Sequence, residues 1–101
     1  MNEFFEEIYK IVEMIPEGKV VSYGRLAFLA GHPGAARQAG KAIANCPSHL
    51  PWQRVVHSDG SISGGFFPEI RRTLLEEEGV CFLPNGKVDI KKHLWTGSEE
   101  Q

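Results

Sequence analysis

Two cysteines, four histidines and one proline-flanked aromatic motif are the residues of this chain whose types could do chemistry. Cys46 and Cys81 are the only thiols, and a thiolate is the group that attacks carbon or binds soft metals. In a reducing compartment an isolated pair is more often two buried thiols than a disulfide. Cys46-Pro47-Ser48-His49, followed by His57, has the composition of a metal site without its spacing. No second Cys-x-x-Cys or His pair completes a tetrahedral set, so neither a metal nor a cofactor is expected. The motif is Pro51-Trp52-Gln53-Arg54-Val55. An indole offers a donor N–H and a π face, and an amide is no general base near neutral pH. Taken alone, Trp52 reads as an ordinary core tryptophan.

The charges point to a second kind of chemistry. A formal net charge of −2 argues mildly against nucleic acid, because Lys and Arg neutralise phosphates in such complexes. The distribution reverses that reading: from Gly18 to Ser58 there is no Asp or Glu, while Lys19, Arg25, Arg37, Lys41 and Arg54 are basic, and both flanks are acidic. Such a window is a candidate polyanion footprint or a chance clustering of solvated charge. Arg37 and Lys41, one helical turn apart, share an outward face, opposite Ala36, Ala39, Gly40 and Ile43. Small residues at Gly34, Ala35 and Ala36 suit either a tight helix crossing or a close approach to another surface. Composition does not choose between them.

Positioning these residues takes few elements. At 101 residues and 42% hydrophobic, the chain can bury one core, so a single domain over 1–101 is expected. The start, Met1-Asn2-Glu3-Phe4, is acidic without a basic leader, and no apolar run approaches the roughly 18 residues of a membrane span. A cytoplasmic protein with no membrane partner is the expectation. Phe4, Ile8, Ile11, Val12 and Ile15 recur at helical spacing up to Pro16. Lys19-Val20-Val21 is extended, Ser22 caps a helix from Tyr23 to Ala30, and Pro33 opens a third helix running to about Asn45. Two short helices joined at Gly31-His32 have the form of a helix-turn-helix. Arg54–His57 and Ser61–Ser63 read as two strands around Ser58-Asp59-Gly60, the position of a wing. Pro68 begins a fourth helix with Ile70, Leu74 and Leu75 inward, and Pro84-Asn85-Gly86 turns a C-terminal hairpin. The expected fold is mostly α with short β, a winged helix-turn-helix domain.

Five collinear segments carry a resemblance: Ile15-Pro16-Glu17-Gly18-Lys19-Val20, Ser22-Tyr23-Gly24, Ala36-Arg37-Gln38-Ala39-Gly40-Lys41-Ala42, Pro51-Trp52-Gln53-Arg54-Val55 and Glu77-Glu78-Gly79-Val80. Together they resemble the DNA-binding domain of O6-alkylguanine-DNA alkyltransferases. That family's central motif is Pro-Cys-His-Arg-Val, whose cysteine accepts the alkyl group. Trp52 in the cysteine's place is similar to the alkyltransferase-like proteins. Gln53 stands where the histidine would be, a departure from many of them, and Glu78 stands where the glutamate orienting that histidine would be. With both upstream groups missing, Glu78 takes a structural role.

The resemblance implies a non-enzymatic protein, with no catalytic residue, that binds O6-alkylguanine flipped from double-stranded DNA through the minor groove. It further implies a monomer that hands the lesion to nucleotide excision repair proteins. Arg37 would be the finger filling the vacated stack, and Ser22, Ala35 and Lys41 would contact the DNA backbone. Tyr23, which matches a tyrosine that turns the neighbouring phosphate, would join Pro51, Trp52, Val55, Ser63 and Gly64 around the lesion pocket. Asn45 would brace the loop before Trp52, and Arg54 would anchor the wing. The loop Ser63-Gly64-Gly65 is closer to the active enzymes than to relatives with a basic residue there. Trp95 either lids the pocket or packs against the first helix. Two competitors stand beside this reading: an active methyltransferase with an atypical site, and a winged-helix transcription regulator.

Overall fold

Val20-Val21 and Val55-Val56 divide the interior between two clusters in the computed structural model, which describes residues 3–62 and 67–97. Consecutive residues in extended backbone face opposite ways. Val21 and Val55 point into a cluster with Ile8, Val12, Leu26, Ala39 and Ile43, while Val20 and Val56 point into one with Ile62, Leu75, Val80 and Val88. β1 (Val21–Ser22) and β2 (Val55–Val56) pair in parallel, Val21 opposite Val55 and Ser22 opposite Val56.

The first expected wing strand thus pairs with β1, while the second, Ser61–Ser63, runs beyond the described residues. Between the two expected wing strands the described contact is the backbone bond from His57 N to Ser61 O at 3.0 Å, and Gly60 N closes the turn on His57 O at 2.9 Å. The turn instead docks on the C-terminal hairpin, where Val88 N donates to Gly60 O. A Cβ at Gly60 would lie 2.6 Å from Val88 O, and its φ of +88° favours glycine. Val55 and Val56 are both fully buried, so β2 has no solvated face.

The first helix, α1 (Glu3–Met14), follows the apolar spacing, burying Ile8 and Val12, with Glu3 and Glu6 in the turn where helix-dipole charge favours acids. Tyr9 Oη donates to Ala42 O at 2.8 Å, tying it to the third helix. In α2 (Tyr23–Leu29), Ser22 is extended and its hydroxyl accepts from Arg25 N at 3.0 Å, the expected N-cap. The third helix, α3 (Ala36–Ala44), starts three residues later than expected. Gly34 has φ +87°, outside the helical region, so a helix cannot run through it from Pro33. Helices α2 and α3 form the helix-turn-helix.

The fourth helix, α4 (Pro68–Glu77), opens on its proline as expected, but its inward face differs. Ile70 is 52% exposed, and Arg71, at 1%, takes the buried position one turn before Leu75. The C-terminal hairpin forms: Leu83 N donates to Lys87 O, and Phe82 bridges Val88 in antiparallel sense. A short helix, α5 (Ile90–His93), which the sequence did not announce, then returns the chain beside Val20. Trp95 N donates to Val20 O at 2.8 Å, and the indole is buried in the cluster that holds Ile8 and Val12. Trp95 is therefore a core residue. Among the described residues no helix is long and apolar enough to cross a membrane.

Candidate nucleic-acid interface

Helix α3 presents Arg37 and Lys41 exposed, with Ala39, Ala42 and Ile43 buried behind them. Among the described residues Arg37 has no carboxylate partner. Ala35, the residue before the helix, is half-buried and has no side-chain cap to offer, and Ser22 is occupied in capping α2. The basic window is thinner in space than in sequence. Arg54 is only 15% exposed at its side chain and pairs with Glu78, an acid from outside the window. Arg25 donates to Thr96 O and lies 4.9 Å over the Phe28 ring. Arg37 and Lys41 remain as the outward pair on α3.

The motif residues form a single turn of 3₁₀ helix, Trp52–Arg54, between Pro51 and β2. That turn is clamped from below by one carboxylate. Gln53 Nε2 donates to Glu78 Oε2 at 2.7 Å, while Arg54 donates to both Glu78 oxygens at 2.9 and 2.8 Å. Arg54 also donates to Ile15 O at 2.6 Å, joining the end of α1 to the turn. A planar guanidinium matched to a carboxylate is the strong form of such a pair. Arg54 thus anchors the turn, and Glu78 has the structural place expected of it. Asn45 does not brace the loop: it is exposed, and its Nδ2 donates to Lys41 O within its own helix end.

Trp52 stands between two cavities. One, of about 350 Å³, is lined by Ile43, Ala44, Cys46, Ser48, Trp52, Phe67 and Ile70. The other, of about 520 Å³, lies over the loop from Ser48 to Arg54 with Glu13 and Leu74 at its far wall. The first opens beside α3, its described lining is mostly apolar and carries no acid, and its volume falls within the range of about 300–1,000 Å³ for small-molecule pockets. The second carries Glu13, a poor neighbour for phosphate. Of the four described residues expected around a lesion, Trp52 alone lines the first cavity. Pro51 lines the second, and Val55 is sealed in the core behind the turn. Ser63 and Gly64 lie outside the described residues.

Tyr23 meets Trp52 through a residue the sequence did not mark. Arg71 Nη1 donates to Tyr23 Oη at 3.0 Å, and Arg71 Cζ lies 5.2 Å from the centroid of the Trp52 ring. The Tyr23 ring also rests against His57, centroids 5.2 Å apart. Of the other cavity residues, Ile43 and Ile70 carry helical apolar spacing, which assigns them to the core, and the sequence marks neither Ala44 nor Cys46 for the cavity. One local signal existed for Phe67: it precedes a proline, and it takes a left-handed backbone at φ +56°, rare for an aromatic residue. Cys46 lies in the cavity wall, but burial pushes its thiol up to about 11, leaving almost no thiolate at neutral pH. Among the described residues no three His, Cys, Asp or Glu side chains group as metal ligands.

A helix-turn-helix with an outward arginine, beside an aromatic-walled cavity large enough for a base, defines a nucleic-acid-binding domain. Residues 3–80 match the DNA-binding domain of 6-O-methylguanine DNA methyltransferase, and the chain belongs to that family. It is 42% identical to the DNA base-flipping protein of Vibrio parahaemolyticus over 98 residues, covering 94% of this chain and 98% of that one. It is 36% identical to alkyltransferase-like protein 1 of Schizosaccharomyces pombe, covering 94% and 96%. The crystal structure of that yeast protein in complex with damaged DNA containing O6-carboxymethylguanine matches with a TM-score of 0.82 over 94% of this chain and 96% of that chain.

Proposed function

We propose that this protein recognises O6-alkylguanine in double-stranded DNA without repairing it. It holds the alkylated base, flipped through the minor groove, in the cavity beside Trp52. The observation that carries the reading is Trp52 itself, an indole in the wall of an apolar cavity, at the position to which the motif resemblance assigns the acceptor cysteine of the methyltransferases. Flipping costs a few kcal/mol, least for a damaged base. Stacking on an aromatic face returns about 1–3 kcal/mol. Arg37 fills the vacated stack, and Ser22, Ala35 and Lys41 meet the backbone. Such contacts position the protein without reading sequence.

Three features support the absence of chemistry. An indole is not a nucleophile, Gln53 is tied to Glu78 rather than to a thiol, and the Cys46 thiol is held protonated. The lesion then passes to nucleotide excision repair, the protein acting as a monomer in the cytoplasm. Incubation with an O6-methylguanine duplex followed by intact-mass measurement tests the reading. An unchanged protein mass and tighter binding than to the guanine duplex are expected. A protein heavier by one methylene, or equal affinity for the two duplexes, refutes it. The same titration against unrelated sequences separates it from a sequence-specific regulator.

A further inference from the structure

Arg71 is 1% exposed on the inward face of α4. A guanidinium stays charged throughout the physiological range, so burying one calls for a counter-charge or a full set of acceptors. Among the described residues it has neither. The ion pairs there belong to Lys10, Arg54, Arg72 and Lys87, and Arg71 Nε has no hydrogen-bond partner. It has instead the Tyr23 hydroxyl at 3.0 Å and the Trp52 ring at 5.2 Å. A buried polar group left short of partners is a candidate for a role in binding.

The bond to Tyr23 has a direction. Arginine only donates, so the phenol oxygen accepts and its own proton must point elsewhere. No acceptor among the described residues takes that proton. A hydroxyl that accepts from a cation is polarised and becomes a better donor. Tyr23 therefore stands at the start of α2, beside Ser22, as a strengthened donor with no acceptor among the described residues. On its other side, the same guanidinium lies toward the indole that walls the cavity.

We infer that Arg71 is a positioning residue for DNA binding: one buried guanidinium aims the Tyr23 hydroxyl at a phosphate oxygen and holds the Trp52 ring for the flipped base. The inference rests on the proposed reading of the cavity. It makes backbone contact and base stacking interdependent, since both act through one side chain. Both the fork and the plane of the arginine are used, which a lysine cannot reproduce.

The test titrates Arg71→Met and Arg71→Lys, each alone and combined with Tyr23→Phe, with O6-methylguanine and guanine duplexes at one salt concentration, alongside thermal unfolding. Arg71→Met should bind the lesion duplex about tenfold more weakly, the scale of one lost charge-assisted hydrogen bond. Its melting temperature should change little, because relief of an uncompensated buried charge by an apolar side chain of similar length offsets the lost hydroxyl and ring contacts. Adding Tyr23→Phe should cost little more, since one change misaims the hydroxyl that the other removes. Arg71→Lys should lose about threefold, between the two. Unaltered lesion affinity in either folded variant, or fully additive losses with Tyr23→Phe, overturns the proposal. So does a fall in melting temperature that accounts for the lost affinity, which would make Arg71 a structural residue. The unaltered protein's preference for lesion over guanine is read in the same titration, and its absence sinks the proposed function instead.

Discussion

Replacing Trp52 by alanine removes the indole from the wall of the 350 Å³ cavity and leaves Ile43, Ala44, Cys46, Ser48, Phe67 and Ile70 in place. Base stacking on an aromatic side chain is worth about 1–3 kcal/mol. At 1.4 kcal/mol per factor of ten, lesion affinity should fall by about 5-fold to 150-fold. The change also strips Arg71 of its ring contact, and a desolvated cation–π pair is worth about 2 kcal/mol. Because Trp52 is only half-buried, its total loss of folding stability should lie at the lower end of the roughly 3–5 kcal/mol of a fully buried tryptophan, at about 3 kcal/mol. Binding is therefore measured well below the variant's melting temperature, by competition between lesion and guanine duplexes at fixed salt. The ratio of the two affinities is the decisive quantity. Backbone contacts are common to both duplexes and cancel, whereas the stacked base does not. Trp52→Phe keeps a π face and should fall between the two proteins. If Trp52→Ala folds and keeps the full ratio, the alkylated base does not rest on the indole and the reasoning fails.

Arg37→Ala should weaken lesion binding by about tenfold, the worth of a charge-assisted contact, without moving the melting temperature, since Arg37 is exposed and has no carboxylate partner among the described residues. Unchanged affinity would remove it as the finger. Glu78→Gln leaves the Arg54 guanidinium largely buried without its counter-charge, and urea unfolding should show a loss of about 3 kcal/mol, at the lower end for a broken buried pair given the residual exposure. A loss below about 1 kcal/mol would mean that the pair behaves as a surface contact. The Asp59 carboxyl is held below its usual range by the Ser61 N–H and by Lys87. A depressed carboxylate contributes stability that is present above the unfolded value of about 3.9 and is lost as pH falls through the folded one. The melting-temperature difference between the unaltered protein and Asp59→Asn should accordingly shrink as pH drops from 7 toward 3. A difference that grows toward acid would reverse the sign.

Most element types were legible because they depend on neighbours in the chain. Apolar spacing in α1, Ser22 before α2, Pro68 at the start of α4 and Pro84-Asn85-Gly86 in the hairpin are local instructions, and each formed. Glycine at 34 is also a local instruction: its positive φ places the start of α3 after it. The motif around Trp52 was legible too, because a replacement at one position of a collinear pattern stands out. Legibility ended where residues distant in the chain meet.

By itself, then, the chain determined its helices, its turns and the identity of the group that walls the cavity. Only the tertiary structure decided that Val55 and Val56 pair in parallel with β1, since two-sided burial depends on both clusters existing at once. It alone put Ile70 at the cavity and Arg71 beneath Tyr23 and Trp52, reversing the apolar pattern of α4. It also removed Arg54 from the basic face by bringing Glu78 to it from 24 residues away. Periodicity ranks side chains by hydrophobicity along one element, whereas burial and pairing are settled by what the facing elements supply.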